Sequence, residues 1–122
     1  MTAERGILLI DDDPDIRDAL GECLRDEGYE VYPAEHGRAA LDLLEHGLRP
    51  GVILLDLMMP VMNGFEFLEA LHARPECQHV RVLILSANQG YQAADFVGVF
   101  QMLRKPVRVE HLCRELERAL AA

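Results

Sequence analysis

The sequence has 122 residues, of which 50% are hydrophobic and 27% are charged, enough for one domain with a buried core. Its 12 Lys and Arg against 21 Asp and Glu leave a formal net charge of −9 at pH 7. A surface of that sign repels nucleic-acid phosphates and anionic membranes. No run approaches the roughly 20 apolar residues that span a bilayer. We therefore expect a single domain over residues 1–122, without direct nucleic-acid binding or membrane insertion.

Three cysteines lie far apart along the chain, at Cys23, Cys77 and Cys113. No two of them form a CxxC pair, which argues against a disulfide framework and against a Cys-rich zinc site. The pattern fits a reducing compartment, and we expect a cytoplasmic location. The five histidines show no metal-ligand spacing, so they are expected at the surface.

Short apolar runs predict the strands. Residues 7–10, 52–55 and 82–85 are wholly apolar, as strands covered on both faces require. Residues 29–32 and 99–103 are weaker strand candidates. Between the runs lie stretches with helical periodicity, so the chain predicts an α/β fold with a parallel sheet and helices on both faces.

The first helix is the most clearly marked. Asp13 can cap it, Pro14 suits its first position, and Gly28 suits the left-handed residue after its end. One apolar face is expected inside, made of Ile16, Ala19, Leu20, Cys23 and Leu24.

Three more helices follow from the same kind of pattern. Residues 40–44 predict a second helix that Gly47 closes. Asn63 can cap a third helix, expected to turn Phe65, Leu68 and Leu71 inward. The last helix is expected over residues 109–120. The segment 88–97 is the least clear and holds at best a short helix around 91–96.

Polar residues follow the predicted strands at the points where they end. Asp11 and Asp12 come after the first strand, Asp56 after the third, Ser86 after the fourth and Lys105 after the fifth. Strand ends of a parallel sheet share one edge, and open α/β sheets bind ligands in the crevice there. The sequence therefore predicts that three carboxylates, a hydroxyl and an ammonium group converge in a shallow pocket.

Electrostatics limits what such a pocket can do. Three close carboxylates repel one another, and one lysine does not offset them, so a cation is expected among them. Oxygen ligands favour a hard cation, and Mg²⁺ is commonly held by one or two carboxylates with waters and phosphate. A carboxylate beside Mg²⁺ and a lysine can attack phosphorus. The pattern predicts an aspartyl-phosphate site.

At these residues the chain resembles the receiver domain of two-component response regulators, of the chemotaxis-regulator type. The matching segments are 7–14, 56–64, 83–87 and 105–106, and the resemblance covers nearly the whole length. It implies a flavodoxin-like, doubly wound five-stranded parallel sheet with strand order 2-1-3-4-5. It also implies a phosphorylation-dependent switch that assists only its own phosphorylation and dephosphorylation, rather than an enzyme acting on an external metabolite.

The resemblance also implies roles for individual residues. Asp56 is expected to accept a phosphoryl group from a phosphohistidine of a sensor histidine kinase or phosphotransfer protein, while Ser86 and Lys105 turn towards it. A downstream protein target is expected to read the changed surface. Mg²⁺, or Mn²⁺ as a substitute, is expected to be held by Asp11, Asp12, Asp56 and the backbone carbonyl of Met58.

Two features depart from the family pattern. Met102 stands three residues before Lys105, where the family usually has Tyr or Phe, and a flexible thioether presents neither a ring nor a hydroxyl. The segment from Ser86 to Lys105 is also a few residues shorter than is usual. Both departures leave the phosphorylation chemistry untouched, but they put the usual output face in doubt.

Two alternatives stay open on the sequence. One is a degenerate receiver domain that serves as an interaction scaffold. The other is a phosphatase resembling the haloacid-dehalogenase type, in which Asp11 would be the nucleophile and the residues around Asp56 would have no role. Mapping the phosphorylated residue separates a receiver domain from a phosphatase.

Overall fold

Five parallel strands form one sheet in the order β2-β1-β3-β4-β5. The computed structural model describes residues 2–56, 64–77, 79–87 and 99–121, with side chains from residue 6 onwards. The strands are β1 (Thr2–Ile10), β2 (Glu30–Ala34), β3 (Arg49–Asp56), β4 (Arg81–Ser86) and β5 (Val99–Arg104). The predicted fold class and strand order are confirmed.

Burial explains which strands the sequence marked clearly. The apolar runs of β1, β3 and β4 lie in the middle of the sheet and are buried, since helices cover both of their faces. The two weaker strand candidates are the edge strands of the sheet, β2 and β5. Strand β2 includes Pro33, which lacks a backbone N–H and is tolerated at a sheet edge. Most of β5 is only half-buried.

Four α-helices and one 3-10 turn accompany the strands in the described part of the chain. They are α1 (Pro14–Asp26), α2 (Gly37–Glu45), α3 (Gly64–His72), the turn Pro75–Cys77, and α4 (Val109–Ala121). The predicted cap Asn63, the residue Met58 and the predicted short helix around 91–96 lie outside the described residues. None of the described helices is both long enough and apolar enough to cross a bilayer.

Helix ends follow the predicted local chemistry with one exception. The Asp13 carboxylate accepts hydrogen bonds from the backbone N–H of Asp15 at 2.9 Å and of Ile16 at 3.2 Å. Gly28 and Gly47 adopt φ of 94° and 106°, which favour glycine. His36 was expected to be a plain surface residue, but its ring accepts from the Ala39 N–H at 3.1 Å and caps α2.

Two apolar layers enclose the sheet. One face packs against α2 and α3 through side chains that include Leu44, Phe67 and Leu71. The other packs against α1 and α4 through side chains that include Leu24 and Leu116. Alternate residues of each central strand enter opposite layers, because successive side chains of a strand point to opposite faces.

The predicted inner faces of α1 and α3 were wrong near the N-terminal ends of the helices. Ile16 is 44% exposed, Phe65 is 38% exposed, and Ala19 is also exposed. In α3 the buried positions are Gly64, Phe67, Leu68 and Leu71, a stripe with the expected spacing that starts one residue earlier. Helical periodicity predicted the spacing of the buried residues correctly, but packing against the sheet set the rotation of each helix about its own axis.

Candidate functional site

The site lies at the edge of the sheet where the strands end. Asp56 and Ser86 are the last residues of β3 and β4, while Asp11 and Lys105 directly follow β1 and β5. The register pairs Ile10 with Leu55 across β1 and β3, so Asp11 and Asp56 follow at neighbouring positions. The structure therefore places these four residues at the strand ends where the sequence predicted them.

Three carboxylates meet at this edge. Asp11, Asp12 and Asp56 each offer an oxygen atom, and the three atoms lie within 4.8 Å of one another. Asp11 is 1% and Asp56 is 8% exposed, whereas Asp12 is exposed. Two negative side chains are thus held in a poorly solvated place, where an uncompensated charge is costly.

Lys105 brings a positive charge to the two buried carboxylates. Its Nζ lies 3.5 Å from Asp11 Oδ2 and 3.5 Å from Asp56 Oδ2. Neighbouring strands are about 4.8 Å apart, and β5 is two strands away from β3. The four-carbon stem of lysine therefore suits this position, since its head must reach across the end of β4.

Main-chain and side-chain contacts hold Asp11 in one orientation. Its N–H donates to the Ala34 carbonyl at 3.1 Å, and its Oδ1 accepts from the Asp13 N–H at 3.0 Å. Its carbonyl oxygen accepts from Arg17 Nη1 at 2.8 Å. Asp11 Oδ2 is buried, and no hydrogen-bond partner for it is found within the described residues.

The donor set suits a hard divalent cation. The carboxylate oxygens are the ligand type that Mg²⁺ prefers, and they outnumber the single ammonium group of Lys105 beside them. The buried Asp11 Oδ2 without a hydrogen bond, described above, is an acceptor that a cation would satisfy. The residues present therefore fit the expected metal.

Ser86 is tied to the same edge through its backbone. It is 2% exposed, and its carbonyl oxygen accepts from the Lys105 N–H at 3.0 Å. The hydrogen bond joins the end of β4 to the start of the segment that presents the lysine. A hydroxyl and an ammonium group are thus carried by one connected piece of backbone.

Arg17 is a neighbour of the site that the sequence did not reveal. It is the fourth residue of α1, and its side chain reaches back to the residue that follows β1. Asp11 follows a strand and Arg17 lies in a helix, so no single periodicity relates the two residues. Only the packing of α1 beside β1 brings the two together.

A family comparison agrees with this geometry. Residues 7–117 match the model of the response regulator receiver domain. The chain belongs to this family. It is thus a receiver domain of two-component systems, a regulatory module that works as a phosphorylation switch. Neither the phosphatase alternative nor the scaffold alternative is favoured.

Named relatives are similar along nearly the whole receiver domain. The sporulation initiation phosphotransferase F of Bacillus subtilis is 38% identical over 109 residues, covering 87% of this chain and 86% of that protein. The chain spans about half the length, 47% and 49%, of two other curated response regulators that it matches.

Solved structures share the fold closely. The chemotaxis protein CheY4 of Vibrio cholerae superposes with a TM-score of 0.85 and is 34% identical, over 93% of this chain and 97% of that one. The receiver domain of the sensor histidine kinase PA1611 from Pseudomonas aeruginosa PAO1 gives a TM-score of 0.87 at 28% identity, over 96% and 98%. That structure contains a magnesium ion coordinated in its active-site cleft.

Proposed function

We propose that Asp56 is the residue that accepts the phosphoryl group. The observation that carries this proposal is the approach of Lys105 Nζ to 3.5 Å from both Asp56 Oδ2 and Asp11 Oδ2. A lysine in that place can neutralise the oxygens of a phosphoryl group bonded to either carboxylate. The choice between the two carboxylates rests on their surroundings.

Asp56 is the more accessible of the two. Its side chain is 11% exposed against 2% for that of Asp11. Asp11 is engaged through its N–H, its carbonyl and Oδ1 as well as by the ion pair. An incoming donor can therefore reach the Asp56 carboxylate more readily than that of Asp11.

The reaction is written as a transfer from a phosphohistidine. An Asp56 carboxylate oxygen forms a bond to phosphorus as the bond from phosphorus to the histidine nitrogen breaks. The electrons of the broken bond stay on the imidazole ring, which leaves neutral after taking up a proton. The product is an acyl phosphate on Asp56, with Lys105 paired to it and the Ser86 hydroxyl donating to a phosphoryl oxygen.

We assign the metal to the acidic residues. Asp11, Asp12 and Asp56 would hold Mg²⁺, or Mn²⁺ as a substitute, and the Met58 carbonyl remains a proposed ligand outside the described residues. The magnesium found in the PA1611 receiver domain supports this choice. When bound, the ion supplies charge neutralisation for the phosphoryl oxygens.

A sensor histidine kinase or a phosphotransfer protein is the proposed donor. Ile16 and Phe65 are 44% and 38% exposed in the first turns of α1 and α3, the helices that follow β1 and β3 along the chain. Exposed apolar side chains beside an acidic pocket suit a protein partner. We place the phosphotransfer in the cytoplasm, with residues 1–122 acting as one receiver domain and without nucleic-acid contact.

Output follows from rearrangement around the phosphoryl group. Movement of Ser86 and Lys105 towards it would shift the population of a surface that a downstream protein recognises. Met102 is half-buried and packs against the core layer of α2 and α3. Because its side chain is flexible, we propose that the change at β5 is read through packing rather than through an aromatic ring.

Phosphorylation with a small donor tests the assignment. The chain is incubated with acetyl phosphate and Mg²⁺, and intact mass and peptide mapping locate the added phosphoryl group. Asp56→Asn should lose the label, whereas Asp18→Asn, at an exposed position on α1, should keep it. A label that persists in a folded Asp56→Asn chain, or one that maps to Asp11, would overturn the assignment.

A further inference from the structure

The positively charged side chain of Arg17 is hydrogen-bonded to the peptide group between Asp11 and Asp12, the two adjacent acids of the site. Arg17 Nη1 donates to the Asp11 carbonyl oxygen at 2.8 Å, which is a short distance for an N–H···O bond and is typical of a charged donor. Arg17 is half-buried, and its backbone N–H donates to the Asp13 carbonyl at 2.9 Å. The side chain and the backbone N–H of Arg17 therefore both hold the turn that carries the acids.

Asp12 depends on this peptide group more than Asp11 does. The Asp11 carboxylate has its own anchors, an N–H donor on Oδ1 and Lys105 near Oδ2. For the Asp12 side chain, no hydrogen bond or ion pair is found within residues 2–56, 64–77, 79–87 and 99–121. Its carboxylate is aimed at the cluster chiefly by the orientation of the main chain that precedes it.

We propose that Arg17 is a positioning residue that orients the Asp11–Asp12 peptide and thereby sets the affinity of the acidic cluster for its divalent cation. The inference rests on the proposed function, since it requires that the cluster bind the ion. Contacts that orient metal ligands commonly change metal affinity by about 10–100-fold. Among the described residues, the Arg17 side chain is hydrogen-bonded to a backbone carbonyl and not to a carboxylate, so we expect the lower end of that range.

The charge of Arg17 acts in the opposite direction. A guanidinium group near three carboxylates repels an incoming cation, so removing it would tighten binding if charge were its only influence. Loss of orientation would weaken binding. Arg17 Nη1 lies 2.8 Å from the Asp11 carbonyl oxygen, well within the screening length of roughly 8 Å at about 0.15 M ionic strength, so both effects act at the site, and the proposal predicts that loss of orientation is the larger. The sign of the change therefore distinguishes the two roles.

The experiment is a Mg²⁺ titration of the unphosphorylated chain by calorimetry at that ionic strength. Arg17→Ala should bind Mg²⁺ about tenfold more weakly than the unaltered chain, which corresponds to about 1.4 kcal/mol. Arg17→Lys keeps a charged donor and should recover part of the loss. Arg17→Gln serves as the second neutral variant if Arg17→Ala does not fold by circular dichroism, and it should also bind more weakly.

Arg25 provides a matched control on the same helix. Its Nη2 donates to the Val31 carbonyl at 3.3 Å, also six residues away, but on β2 and away from the acids. Arg25→Ala should change stability without changing Mg²⁺ affinity. Equal or tighter Mg²⁺ binding by the folded Arg17 variants would overturn the inference alone, whereas absence of Mg²⁺ binding by the unaltered chain would overturn the metal assignment and the inference with it.

Discussion

Two clusters of charged residues lie at opposite ends of the parallel strands, and they differ in their balance of acidic and basic side chains. The acidic rim at the strand ends consists of Asp11, Asp12, Asp56 and Lys105. The Arg74 cluster lies at the C-terminal end of α2 and just beyond the C-terminal end of α3. It consists of Arg49, Arg74, Glu45 and Glu76. The first has three acids for one base, whereas the second has two of each.

Arg74 is paired with acidic side chains of its own cluster. Arg74 lies 2.9 Å from Glu45 and 3.2 Å from Glu76, whose side chains are 57% and 37% exposed. The acidic rim, by contrast, buries two carboxylates and leaves Asp11 Oδ2 without a hydrogen bond among the described residues. Excess charge held in a buried place is typical of a functional site rather than of a stabilising one. The difference can be tested by asking which cluster responds to added cation.

The largest expected effect is stabilisation by magnesium. At a Mg²⁺ concentration of about 100 times its Kd, binding to the folded state adds about 2.7 kcal/mol to the free energy of unfolding, which raises Tm by several degrees. Asp12→Asn should remove most of this response, measured by calorimetric melting. Glu45→Gln in the Arg74 cluster should keep all of it. If Mg²⁺ raised the Tm of Asp12→Asn as much as that of the unaltered chain, the acidic rim would not be the magnesium site.

Removal of the lysine from the acidic rim should have the next largest effect. In Lys105→Met, the buried Asp11 and Asp56 carboxylates lose their counter-ion. Because the lysine side chain is 24% exposed, the free energy of unfolding at pH 7 without Mg²⁺ should fall by about 2 kcal/mol, less than the roughly 3–5 kcal/mol of a fully buried pair. Mg²⁺ should restore much of the loss, since it supplies the missing charge. Denaturant melts with and without Mg²⁺ measure both quantities. The matched variant Arg74→Met should be destabilised less, and Mg²⁺ should not rescue it.

The smallest expected effect is a pH dependence in the Arg74 cluster. The pKa of Glu76 lies below its ordinary value of 4.5, mainly because its own backbone N–H donates to the carboxylate and further because Arg74 does. Its contribution to stability is therefore present above pH 4.5 and is lost as the pH falls through the lowered pKa.

Urea melts of the unaltered chain and of Glu76→Gln measure this contribution. The difference between their midpoints should be constant from about pH 7 to 5 and should shrink below the ordinary glutamate pKa. Because the side chain is exposed, the difference should stay small and should diminish in high salt. A difference that grew on acidification would contradict the assignment.

Local patterns predicted most of the elements, and tertiary contacts decided their faces. Asp13, Gly28 and Gly47 took their predicted positions at helix ends, because caps depend on a few adjacent residues. Ile16 and Phe65 did not take their predicted buried positions, because the rotation of a helix depends on the layer beneath it. Edge strands were the weakest prediction, since partial burial relaxes the apolar pattern.

The sequence by itself determined the α/β alternation and which polar residues end each strand, because both depend on the period and order of residues along the chain. It also determined the family, since four short motifs in order are specific. Only the tertiary structure decided that Lys105 reaches two carboxylates across β4 and that Arg17 returns to the Asp11 carbonyl. Those contacts join residues that no periodicity relates, and they exist only because the sheet register and the packing of helix on strand bring them within a few ångströms.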